Sequence, residues 1–321
     1  MITYLLLIIG FVLLVKGADF FVDGSSNVAK LLKVPSLIIG LTVVAFGTSM
    51  PEASVSITAA LAGKNELAIS NVIGSNIFNL LVVVGASAII SPLVVQASIL
   101  KKEFPFSILI TALLLVFSLD TWVRRGGDNQ ISRLDGAILF MFIILFVAST
   151  VRHALSSRKV LQACDISNDE SKVLSPVVSL VYIVLGLAAI IWGGNLVVNS
   201  ATQIALSFHL SETLIGLTIV AIGTSLPELV TSVVAAKKGE SDIALGNVVG
   251  SNIFNILLIL GASATIKPIV VTTVSIYDLI LLILASLLVY IFALINKKIS
   301  RTEGIFMILL YIGYTYYIIV R

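Results

Sequence analysis

The chain has 321 residues, of which 58% are hydrophobic and only 12% charged, with a mean hydropathy of +1.12 and a formal net charge of +3. No water-soluble globular domain of this size carries that balance, so the chain reads as an integral membrane protein with the lipid bilayer as its solvent. In such a chain the Lys and Arg are read as topology signals and no nucleic-acid partner is expected, and a single cysteine, Cys164, leaves no intramolecular disulfide.

Apolar stretches long enough to cross roughly 30 Å of hydrocarbon as helices recur from end to end. Ten spans are predicted, near 2–31, 35–62, 66–91, 103–122, 134–153, 174–206, 212–236, 242–265, 275–296 and 303–320. The first lacks a basic leader and a small-residue cleavage site, so it is expected to be a retained span. Placing the N-terminus outside puts thirteen Lys and Arg in cytoplasmic segments and six outside, the expected positive-inside bias. Both termini then lie outside a cell membrane, and the loop 154–173 is cytoplasmic.

Span 1 contains Lys16, Asp19 and Asp23, which are read as an interfacial anchor or an i,i+3 ion pair in preference to an ion-access role. Spans 1 and 6 are each about 30 residues, longer than a bilayer needs, and are expected to tilt. Span 2 carries Gly47-Thr48-Ser49-Met50-Pro51-Glu52 inside an apolar run, and span 7 carries Gly223-Thr224-Ser225-Leu226-Pro227-Glu228. Residues 40–95 align with 216–271 at a constant offset of 176, and 32 of the 56 pairs are identical. Five spans per unit is an odd number, so the second copy is inverted relative to the first. The fold class expected is an all-α membrane protein of ten transmembrane helices in two inverted five-helix repeats, 1–153 and 174–321, with broken helices at the ion site.

Spans 4, 5, 9 and 10 are uniformly apolar and read as scaffold. Within the polar linker 154–173, Asp165, Ser167 and Asp169 imitate the start of a calcium loop, but Glu170 and Pro176 stand where Gly and a bidentate Glu are required. That segment is read as a solvated hinge. His153 and His209 read as interfacial residues at span ends.

Pro51 cannot donate to the carbonyl of Gly47, and its ring pushes that carbonyl aside, so span 2 must open there; Pro227 does the same in span 7. Freed oxygens, such as the carbonyls of Ala45 and Ala221, suit a cation. Helical spacing sets Glu52 on one face with Thr48 and Ser49, as well as Thr42 and Ser56. Glu228 heads the matching stripe of Thr218, Thr224, Ser225 and Ser232. A buried carboxylate costs at least about 2.5 kcal/mol on insertion scales, so two of them call for a positive occupant between them. In span 3, Asn71, Ser75 and Asn79 recur every four residues, as do Asn247, Ser251 and Asn255 in span 8. Asn71 and Asn247 are open to a reading as interhelical glue; Asn76 and Asn252 stand one step behind the ligands. An all-oxygen donor set fits Ca²⁺, with Na⁺ competing, and nothing here supports a prosthetic group or an enzyme's nucleophile.

At these residues the chain resembles the calcium/cation antiporter superfamily, in particular the prokaryotic sodium/calcium exchangers. The likeness rests on Gly40-Leu41-Thr42 through Glu52 with Gly74-Ser75-Asn76-Ile77-Phe78-Asn79, and on their copies at 216–228 and 250–255. It implies four clustered cation sites between spans 2, 3, 7 and 8. Glu52 and Glu228 would be shared by Ca²⁺ and Na⁺, with Thr48, Ser49, Ser75, Asn79, Thr224, Ser225, Ser251, Asn255 and the carbonyls of Ala45 and Ala221 completing them. It also implies that spans 1 and 6 slide past a fixed core to switch access; the chain is expected to work as a monomer. Many members carry aspartate at one or both positions occupied here by Asn79 and Asn255. Two formal charges neutralise one Ca²⁺ or two Na⁺ and leave +1 with three Na⁺, which brings Ca²⁺/H⁺ exchange forward as the alternative. A passive cation channel and a non-transporting scaffold are the remoter readings.

Overall fold

The computed structural model describes residues 2–119, 129–163, 174–208 and 221–320. Cys164, the calcium-loop-like residues 165–170, Thr218 and His209 lie outside the described residues. Helix α1 (Ile2–Leu32) is followed by α2 (Ser36–Thr48) and α3 (Met50–Leu61), which meet at Ser49 with a bend of 49°. Then come α4 (Glu66–Ile90), α5 (Phe104–Phe117) and α6 (Arg133–Ala163). The second half has α7 (Pro176–Ser207), a short turn Ala221–Gly223 ahead of α8 (Leu226–Lys237), then α9 (Ser241–Ile266), α10 (Thr273–Asn296) and α11 (Arg301–Val320).

Among the described residues seven helices are long and apolar enough to cross a membrane, or eight if α2 and α3 form one span. The ten spans expected from sequence are not all seen: α5 continues from the π-helical turn Ile99–Glu103, which brings Lys101, Lys102 and Glu103 into the helix, and α8 is described over only 12 residues. Two corrections to the sequence reading stand out. Helix α6 runs ten residues past 153 into the segment read as a hinge, carried by helix-favouring Ala154, Leu155 and Arg158. The chain is also not wholly helical, because four two-residue strands form two ribbons.

Polar side chains start several helices. Ser132 and Asp135 bond each other's main-chain N–H groups ahead of α6, and Ser300 and Glu303 do so ahead of α11. Thr272 and Ser175 accept from Ser275 N and Val178 N at the starts of α10 and α7. Both tight turns between paired helices pass through glycine at positive φ, Gly63 at 75° and Gly239 at 79°.

The longest contact in the fold is antiparallel, between α1 and α7. Gly10, Gly17 and Gly24 on α1 recur every seven residues and meet Gly193, Gly186 and Ser179 on α7, where backbone touches backbone. Beside this seam, Lys238 of the α8–α9 turn reaches α1, bonding Asp23 Oδ1 at 2.7 Å and Asp19 O at 2.9 Å, while Lys16 pairs with Asp19 at 3.7 Å. That is the ion-pair reading, extended to a second helix.

The two halves interlock. The C-terminal part of α4 packs on α8 and α11, and that of α9 packs on α3 and α6. Strand β1 (Leu93–Val94) pairs with β4 (Lys298–Ile299), and β2 (Gln130–Ile131) with β3 (Ile269–Val270), both antiparallel. Since 93–94 and 269–270 are 176 residues apart, each repeat lends the same segment to a ribbon with the other.

Because a Cβ added at Gly186 falls 2.7 Å from Gly17 O and Phe21 N, Gly186→Leu forces α1 and α7 apart. The expected loss is about 1–3 kcal/mol of stability, read as a lower thermal midpoint in detergent. Gly313→Leu, where nothing lies within 4 Å, is expected to leave the midpoint unchanged.

Candidate cation site

Two helix breaks face each other at the centre of the fold. The α2–α3 break ends at Ser49 (φ −80°, ψ 4°), and Ser225 before α8 has nearly the same backbone (φ −91°, ψ 5°). Each break aims its serine at the other's carboxylate. Ser49 Oγ donates to Glu228 Oε1 at 3.1 Å, and Ser225 Oγ donates to Glu52 Oε1 at 3.1 Å. Both glutamates are fully buried. Thus the charge supplied by one repeat is held by a hydroxyl from the other.

Helices α4 and α9 close the site. Ser225 Oγ lies 3.2 Å from Ser75 Oγ, and Ser251 Oγ lies 3.4 Å from both Glu228 Oε1 and Ala45 O. The Ala45 carbonyl also keeps its helical bond from Ser49 N at 3.1 Å, so it faces the site without leaving the helix. Ala221 opens the short turn before the second break. Asn79 and Asn255 are fully buried, and each begins a π-helical turn, Asn79–Val83 and Asn255–Leu260, a local widening that interrupts the regular backbone ladder at functional positions in many helices.

The electrostatic character of the site shows in what is left over. Glu52 Oε2, Glu228 Oε2, Asn79 Oδ1, Asn255 Oδ1 and Thr224 Oγ1 are buried and lack a hydrogen-bond partner. Buried polar atoms are nearly always paired, and an orphan costs roughly 1–3 kcal/mol. Four of these five atoms can only accept, so they suit a cation and not a donor-poor void. No cluster of three or more His, Cys, Asp and Glu occurs among the described residues, and the two carboxylates are surrounded instead by neutral oxygens, a donor set for hard ions.

The remaining predicted residues take other places. Asn71 Nδ2 donates to Ser56 Oγ at 3.0 Å, and Asn247 Nδ2 donates to Ser232 Oγ at 2.9 Å, bracing helices within a repeat. Thr42 bonds Ile38 O in its own helix. Thr48 and Thr224 differ although their local sequences match. Thr48 Oγ1 donates to Asn247 Oδ1 at 2.9 Å, whereas Thr224 borders a cavity of about 340 Å³ lined also by Pro51, Ser54, Gly194 and Asn195. Sequence reasoning had no signal for that asymmetry, nor for the crossed serine–glutamate bonds.

Similarity to known proteins agrees with this geometry. The family model described as sodium/calcium exchanger protein matches residues 2–151 and again 178–320. CaxA of Alkalimonas amylolytica is 39% identical over 326 residues, 98% of each chain. The sodium/calcium exchanger MaX1 of Methanosarcina acetivorans is 32% identical over 340 residues, covering 98% of this chain and 97% of its own. A solved structure of the sodium-calcium exchanger NCX_Mj, soaked with zero Na⁺ and Ca²⁺, superposes with a TM-score of 0.83 at 35% identity, covering 97% of this chain and 98% of that one. Two family matches, one on each half of the chain, and full-length likeness at this level make the protein a member of the sodium/calcium exchanger family, a membrane transporter and not an enzyme.

Proposed function

We propose that the protein is a secondary antiporter that exchanges Na⁺ for Ca²⁺ by alternating access through ten spans arranged as two inverted repeats, residues 1–153 and 174–321, joined by 154–173. The observation that carries this is the crossed serine–glutamate pairs, in which Glu52 Oε2 and Glu228 Oε2 are buried and unpaired. Ca²⁺ takes six to eight oxygens at about 2.3–2.6 Å. The carboxylates of Glu52 and Glu228, the side-chain oxygens of Asn79, Asn255 and Thr224, and the carbonyl of Ala45 supply them, with Ser49, Ser75, Ser225, Ser251, Thr48 and the carbonyl of Ala221 at the periphery. Na⁺ uses the same glutamates, so occupancy by one ion excludes the other, and that competition is the coupling.

Access changes when α1 and α7 shift together along the core, α2, α3, α4, α8 and α9 holding the ions. The strand pairing supports the inverted plan, because each ribbon joins two loops that an even number of crossings separates. The basic residues support a cytoplasmic 154–173 loop and termini outside the cell. Neutral Asn79 and Asn255 leave two charges in the site, which favours H⁺ as the rival counter-ion.

In proteoliposomes, Glu52→Gln and Glu228→Gln are each expected to reduce Na⁺-gradient-driven ⁴⁵Ca²⁺ uptake to the level of empty vesicles; near-normal uptake in either would refute a shared carboxylate site. With voltage clamped, a Na⁺ gradient at uniform pH is expected to drive uptake, and a pH gradient without Na⁺ is not. Uptake under the pH gradient alone would move the assignment to Ca²⁺/H⁺ exchange.

A further inference from the structure

Behind the two ligand asparagines lies a closed lattice of four amides, built across the boundary between the repeats. Asn79 Nδ2 donates to Asn252 Oδ1 at 3.2 Å, and Asn252 Nδ2 donates to Asn76 O at 3.3 Å. The partner chain of bonds runs the other way: Asn255 Nδ2 donates to Asn76 Oδ1 at 2.9 Å, and Asn76 Nδ2 donates to Asn252 O at 3.2 Å. All four residues are buried, Asn76 and Asn252 to within 1–2% of complete.

The direction of each chain of bonds is fixed by the main chain. A backbone carbonyl can only accept, so the amide nitrogen of Asn252 must face Asn76 O and its oxygen must point away. That oxygen in turn accepts from the nitrogen of Asn79, which leaves Asn79 Oδ1 as the unpaired end. Turning any amide over would set oxygen against oxygen at a buried contact. The same reasoning, starting from the carbonyl of Asn252, leaves Asn255 Oδ1 unpaired. Both oxygens are buried.

We infer that Asn76 and Asn252 are positioning residues, each holding the ligand asparagine of the opposite repeat so that it presents oxygen, never NH₂, to the bound cation. This rests on the reading above that Asn79 and Asn255 face the transported ion. An amide is the one ligand in the site that can turn from acceptor to donor by a half rotation, and an NH₂ aimed at Ca²⁺ would repel it. The lattice removes that choice, and it makes the orientation in one repeat depend on the other.

The test uses the full chain in detergent, with Ca²⁺ affinity read by isothermal titration and stability by thermal unfolding without Ca²⁺. Asn252→Leu keeps similar volume but releases Asn79, and is expected to weaken Ca²⁺ binding at least ~10-fold, the order of a lost bond to a charged partner. Adding Asn79→Asp to that variant is expected to restore most of the affinity, because a carboxylate presents oxygen whichever way it turns. Asn76→Leu with Asn255→Asp is the mirror experiment, and serves if Asn252→Leu does not fold. Wild-type affinity in the released variants would overturn the proposal, as would a loss that the aspartate does not rescue, since that is the behaviour of a packing defect. Failure of the wild type to bind Ca²⁺ would instead overturn the function on which the proposal rests.

Discussion

The constraint on which the rest depends is that two carboxylates, Glu52 and Glu228, are buried together in an apolar bundle. Isolated there, each would carry a large desolvation cost, and their like charges would add to it. The protein meets one oxygen of each with a serine from the opposite repeat and leaves the other bare. In the proposed function a cation completes the arrangement, meeting the oxygens that the serines leave bare.

The surrounding packing separates what must stay fixed from what can move. Helices α4 and α9 hold the asparagine lattice, are largely buried and touch the opposite half along much of their length. Helices α1 and α7 instead meet through glycines at seven-residue spacing, with large apolar side chains such as Leu5, Val12, Leu180 and Leu185 facing outward. A backbone-to-backbone seam ties α1 and α7 closely to each other, while Leu14, Phe21 and Val22 of α1 are buried in the core.

Much of this was legible in the sequence because the signals were local and duplicated. The Gly-Thr-Ser-x-Pro-Glu blocks announced the breaks and the charges, and the four-residue spacing of Ser75 with Asn79 and Ser251 with Asn255 placed the neutral donors on one face. What was hidden depends on how the copies cross in space. Ser49 was expected beside Glu52 and is bonded to Glu228 instead. The strands are two residues long, too short for any periodicity to show. Thr48 and Thr224 occupy identical motifs yet differ in partner and surroundings, so that difference belongs to the conformation and not to the residues.

The ribbons and the exchanged tails of α4 and α9 bear on how such a protein is made. As the chain emerges, α4 is inserted while its partners α8 and α11 are still unsynthesised, and Leu93 must wait for Ile299. The first half therefore cannot reach its final packing on its own, and assembly is completed only when the last helix arrives. The grip between the halves lies in the bundle itself, in the ribbons and in the packing of α4 and α9 on the opposite half.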